Sequence, residues 1–143
     1  MKKIAIFFAM IIFIVVGMFF LYMNYTNHYN NIQKENKQFE SYYQEETYGT
    51  NLASIINKAI DNNEKNKIEK DEKGRYNEND TNSINIDIKM LDNDKTYHME
   101  KLANGGMSTF TLYYGQIKFK CTKMEYHNKT GRIKYMLFEQ ITQ

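Results

Sequence analysis

The chain of 143 residues contains no proline and no tryptophan, only seven glycines and a single cysteine, Cys121. One thiol cannot close an internal disulfide, so any domain here must be held together by packing alone. The charge surplus that nucleic-acid binding requires is missing as well. There are 19 Lys plus Arg against 17 Asp plus Glu, and setting Lys2 and Lys3 aside leaves 17 against 17. The remainder is formally neutral, and no nucleic-acid partner is expected. No Gly-rich phosphate loop and no nucleophile elbow occurs, and His28, His98 and His127 stand far apart without a Cys or His at metal-ligand spacing. Asp92, Asn93, Asp94 and Glu100 offer the oxygens of a calcium loop, but Thr96 and Tyr97 stand where an EF-hand needs a further ligand and a glycine. A hairpin turn accounts for them. The expectation is a protein without catalytic residues, metal or cofactor. Heavy use of Lys, Asn and Ile reads as translation of an AT-rich bacterial genome, which leaves the triplet Asn128, Lys129, Thr130 uninformative as a glycosylation signal.

What the chain does have is an apolar run free of charge from Ile4 to Met23. About 20 such residues at 1.5 Å rise span a hydrocarbon core of roughly 30 Å. Thirteen of them are Ile, Val, Leu or Phe, which makes insertion favourable by about 4–8 kcal/mol. A cleaved secretory signal would have a shorter run followed by small residues, yet Asn24, Tyr25, Thr26, Asn27 and His28 come next, and no cysteine stands there for lipidation. A chain this short also cannot surround a helix that is apolar on every face. The run is therefore read as an uncleaved anchor in the lipid bilayer. Lys2 and Lys3 precede it and the next Lys or Arg is Lys34, so the positive-inside rule puts residues 1–3 in the cytoplasm, the transmembrane helix at 4–23 and everything after it outside the cell membrane. Phe19, Phe20, Tyr22, Tyr25 and Tyr29 suit the outer interface.

Beyond the anchor, Tyr25, Tyr29, Ile32, Asn36, Phe39 and Tyr43 recur at spacings of four, three, four, three and four, one face of a helical stalk over 24–48. This stripe covers the protein's own sheet, or pairs with a second copy or another protein, the polar Asn36 then setting register; an unstructured linker is the remaining alternative. Gly49 interrupts the helix, Thr50 is placed to cap the next, and Leu52, Ile55, Ile56, Ala59 and Ile60 define an amphipathic helix over 51–62. The polar stretch to Thr81 reads as an exposed loop around Gly74. The period then changes to two. Ile84, Ile86, Ile88 and Met90 describe one strand, Asp92 to Lys95 a turn, and Tyr97 and Met99 a second strand. Residues 105–115 fit either a strand or a helix started by Ser108, with the helix preferred. Ile117, Phe119 and Cys121, a turn at Asn128 to Gly131, and Ile133, Tyr135 and Leu137 form a β-hairpin. Met124 and Tyr126 are out of phase with Cys121, which predicts a bulge or a strong twist near Thr122. The simplest arrangement is an α+β domain over 49–143, its four-stranded antiparallel sheet made of two hairpins packed on the amphipathic helix. Cys121, on the apolar face, is expected to be a buried and inert thiol.

The stretch from Phe39 to Asn63, with Tyr42, Gly49, Thr50, Leu52, Ile55, Ile56, Asn57, Lys58 and Ala59, together with Lys120 to Lys123 and the turn from Tyr126 to Gly131, resembles short single-span membrane proteins of low-GC Gram-positive bacteria. That group has no assigned activity. Gly49 to Leu52 after an N-terminal membrane helix is also similar to small pilin-like proteins, although no basic-Gly processing site precedes the apolar run and the glutamate usual near its start is absent. The stalk, the neutral outer domain and the lack of catalytic groups together lead to the expectation of a non-catalytic envelope interaction or assembly subunit. The alternative is a membrane-tethered module that binds or senses a small ligand.

Overall fold

The computed structural model describes residues 2–91 and 95–141 and divides into two units, Met1–Lys34 and Glu35–Gln143. The described residues of the first unit are all helical and belong to α1, Lys2–Glu40. An apolar chain in lipid must satisfy its own backbone, and a helix does so within one segment. At 39 residues α1 is about 58 Å long. It is long enough and apolar enough to cross a membrane, and its most apolar stretch is nowhere buried by the protein. Phe13 is 80% exposed and Leu21 72%, a surface that only an apolar surrounding stabilises.

The second unit is α+β. After the end of α1 come β1 (Glu46–Tyr48), α2 (Gly49–Lys65), β2 (Asn85–Lys89), β3 (Thr96–His98), α3 (Met99–Asn104), α4 (Met107–Tyr114), β4 (Lys118–Tyr126) and β5 (Ile133–Gln140). The sheet has five strands in the order β1-β4-β5-β2-β3. It is mixed, because β5 runs parallel to β2, with Ile86 opposite Met136 and Ile88 opposite Phe138. This corrects the expected four-stranded antiparallel sheet in two respects. β1 exposes Glu46 and Tyr48 and buries only Thr47, and three residues with one buried position leave no alternation to recognise. The parallel pair arises because α3 and α4 carry the chain from β3 to β4, so that the β4–β5 hairpin returns alongside β2 in the same direction.

α2 extends further than the 51–62 read from the sequence and packs on one face of the sheet. Leu52, Ile55, Ile56 and Ala59 are fully buried, against a sheet face that includes Ile86, Ile88, Phe119, Cys121, Met136 and Phe138. Each large aliphatic among them contributes about 1.5–3 kcal/mol by leaving water. Thr50 does not cap the helix by its side chain. The N–H groups of Gly49 and Thr50 instead donate to the carbonyls of Ile117 (2.9 Å) and Gly115 (3.2 Å), so the segment after α4 supplies the partners that a helix start lacks. Beyond the end of α2's apolar face, the Asn63 side chain donates to the Ile84 carbonyl (2.7 Å) and accepts from its N–H (2.8 Å). Asn63 is fully buried, and this doubly bonded amide satisfies the backbone that enters β2.

The polar stretch after α2 is not wholly exposed. Tyr76 is buried in the core, its N–H donates to the Glu100 carboxylate (3.0 Å), and Lys70 and Tyr76 form an isolated bridge across the turn at Gly74. One aromatic among many charged residues gave no periodic signal. Met99, read as part of a strand, is the first residue of α3, whereas the preference for a helix within 105–115 holds as α4. The turn read at Asp92, Asn93 and Asp94 lies outside the described residues. The expected irregularity is present as a register shift between Cys121 and Lys123 against β5.

Cys121 is fully buried, and burial pushes its thiol up to about 11. Thiolate is the reactive form, so at pH 8 a maleimide should label the folded chain at least about a hundredfold more slowly than the chain in denaturant. Equal rates in the two states would contradict the buried placement.

Candidate functional surfaces

The stripe read from the sequence does not form one continuous exposed face. Tyr25, Tyr29 and Tyr43 are exposed, whereas Ile32, Asn36 and Phe39 are buried. Phe39 belongs to the hydrophobic core of the second unit. The Asn36 side chain donates to the Gly131 carbonyl (2.8 Å) and accepts from the Ile133 N–H (3.1 Å). Gly131 lies at φ 69°, a conformation that costs glycine little, and ends the turn between β4 and β5. The amide of Asn36 thus joins the last turns of α1 to the β4–β5 hairpin. A polar residue in an apolar stripe does fix register here, between a helix and a hairpin of the same chain.

This joint opens a groove of about 300 Å³ between the end of α1, α2 and the hairpin. Phe39, Ile84 and Ile133 give it an apolar floor. On one wall α2 presents Lys58, Asp61 and Lys65, which share a helix face, and none of them forms an ion pair among the described residues. On the other wall Arg132 pairs with Glu35 at 3.2 Å. The groove combines an apolar base with charges of both signs, a surface suited to an amphiphilic ligand carrying polar groups. Sequence reading missed it because positions 35–39, 58–65 and 131–133 meet only through tertiary contacts, and no local pattern links them.

A second surface lies on α4. Phe110 points inward and stacks on Tyr114 with centroids 5.5 Å apart, while Leu112 is 79% and Tyr113 70% exposed. Leu112 borders a shallow depression shared with α2 and lined also by Ala53, Met107 and Thr111. The open face of the sheet is different in kind, because its charges are matched within it. Lys118 bonds Glu46 at 2.9 Å and holds that carboxylate below its usual range, and Lys89 approaches Glu139 at 3.9 Å. Asp87 accepts from the Tyr135 hydroxyl at 3.1 Å, and burial together with Asp87 raises that phenol well above its ordinary value. Such a face is solvated rather than adhesive.

The structure thus defines a class, an α+β domain with a mixed five-stranded sheet carried behind one long apolar helix. No protein-family model, curated protein or solved structure matches the chain.

Proposed function

We propose that the chain is a single-pass protein of the bacterial cell membrane, its N-terminus in the cytoplasm and its α+β domain outside, acting as a non-catalytic subunit that associates with another envelope protein or a second copy. The anchor reading is supported by the exposed apolar helix, and the orientation by Lys2 and Lys3 ahead of it. The observation that carries the association reading is the pair Leu112 and Tyr113, two large side chains on α4 held in water by a helix whose other face is packed. Exposed aromatic and aliphatic anchors of this kind contribute most at the centre of a protein interface. Tyr25 and Tyr29 on α1 are exposed as well and offer further contacts to a partner.

A cross-linker that cannot pass the bilayer, applied to intact cells, tests orientation and association together. The full-length protein should be captured with a discrete partner or with itself, and replacing Leu112 and Tyr113 with Ser should remove most of that product while leaving thermal unfolding unchanged. An uncaptured protein, or capture indifferent to both substitutions, would defeat the reading. The second reading, a tethered module for a small ligand, is favoured by the groove over Phe39, Ile84 and Ile133.

A further inference from the structure

A smaller cleft, distinct from the groove and from α4's exposed face, lies where the turn around Gly74 meets β3 and α3. It encloses about 250 Å³ and is lined by Lys73, Arg75, His98, Glu100, Lys101 and Asn104. Three permanent cations face a single carboxylate there. Among the described residues none of Lys73, Arg75 and Lys101 forms an ion pair; Lys101 instead lies 5.0 Å from the centre of the Tyr97 ring. The one carboxylate, Glu100, is buried, and one of its oxygens is already engaged by the Tyr76 N–H. Asp71, in the same turn, accepts from the N–H groups of Lys73 (2.8 Å) and Arg75 (2.9 Å). These backbone bonds, with the nearby charges of Arg75 and Lys73, hold its carboxyl below the usual range, so Asp71 orders the turn and offsets part of the charge of the two cations.

The histidine is also fixed. His98 Nδ1 is 2.5 Å from Asp87, whose other oxygen accepts from Tyr135. Asp87 of β2, itself held by Tyr135 of β5, thereby sets the ring, and Nε2 forms no hydrogen bond among the described residues. The His98 imidazole, the amide of Asn104, two cations on the turn and one on α3 surround one small volume, whose lining carries more positive than negative charge. Clustered cations repel one another, and an anion in their midst removes that cost and restores partners to their donors. Donors converging from several directions suit a tetrahedral, multiply charged oxyanion better than a planar carboxylate, which a single guanidinium satisfies in two bonds.

We propose that this cleft binds a phosphate-type oxyanion, either free phosphate or a phosphomonoester whose organic part stays outside. The inference goes beyond the association reading and stands without it. Calorimetric titration of the full chain, reconstituted in nanodiscs of phosphatidylcholine at constant ionic strength, tests it with inorganic phosphate and glycerol 3-phosphate as probes. Saturable binding is expected, weakened about tenfold in each of Lys73→Gln, Arg75→Gln and Lys101→Gln through loss of one charge-assisted contact. Lys129→Gln, remote from the cleft, should bind as the unaltered chain does. The three cleft side chains are exposed, so unaltered unfolding temperatures without ligand verify that the variants remain folded. Nanodiscs doped with phosphatidic acid distinguish the sources, because a lipid headgroup in the cleft would suppress binding of the soluble probes and a soluble ligand would be unaffected. Absence of binding in every arm, or binding equally strong in all the cleft variants, would overturn the proposal.

Discussion

Phe39→Ala should lower the unfolding free energy of the C-terminal domain by about 3–5 kcal/mol, the usual cost of emptying an aromatic site in a core. Phe39 is 6% exposed and packs with the core, so its removal leaves a cavity that the sheet beneath cannot close without moving. Chemical denaturation of the full chain in detergent, monitored by near-ultraviolet circular dichroism, measures the loss. Tyr29→Ser provides the contrast, because Tyr29 is 52% exposed and its replacement should change stability by no more than about 0.5 kcal/mol. The comparison bears on function as well as on folding. If Phe39→Ala left the domain fully stable and abolished cross-linking, the association surface would run along the whole stripe. A large loss of stability assigns Phe39 to the fold and leaves association to the exposed side chains.

The stripe also shows which parts of the structure local patterns can reveal. Period 3.6 identified α2, and period 2 identified β2, β4 and β5, because each buries one face on a single core. Cys121 could be placed for the same reason, by alternation with Ile117 and Phe119, and its burial is a consequence of that phase. The destination of a helix face is another matter. Tyr25, Tyr29, Asn36 and Phe39 obey the same spacing, yet the first two are exposed and the later pair is buried, because the spacing of a helix says nothing about where its neighbours begin. The parallel register of β2 with β5 was hidden in the same way: each strand alternates correctly whichever direction its neighbour runs. Tyr76 and Glu100 were hidden more deeply, since one buried aromatic and one buried carboxylate in charged surroundings carry no period at all. The candidate sites share that fate. Lys58 and Arg132, or Arg75 and Lys101, are ordinary surface cations until the fold brings them to one groove or one cleft.

Gly49→Ala should destabilise the domain by about 3 kcal/mol or more, beyond the usual range for an added methyl in a packed core. On propensity alone the change should help, because alanine in a helix is favoured over glycine by about 1 kcal/mol. Packing reverses the sign. A methyl at Gly49 would stand 2.0 Å from the Tyr114 carbonyl oxygen, 2.7 Å from its carbon and 3.2 Å from Gly115 Cα. All three atoms are backbone, so no side-chain rotation can make room. The start of α2 cannot retreat cheaply either, since the N–H groups of Gly49 and Thr50 are bonded to the carbonyls of Ile117 and Gly115. Separating the two segments far enough to admit the methyl would stretch both bonds and lift Leu52 and Ala53 from the core they share with Phe110. The sequence offers Gly49 as the break between two helices; the structure makes it the point where α2 crosses the end of α4 at backbone contact. An unfolding midpoint for Gly49→Ala equal to or above that of the unaltered chain would show that the crossing is looser than these distances, and the close approach would no longer explain the glycine.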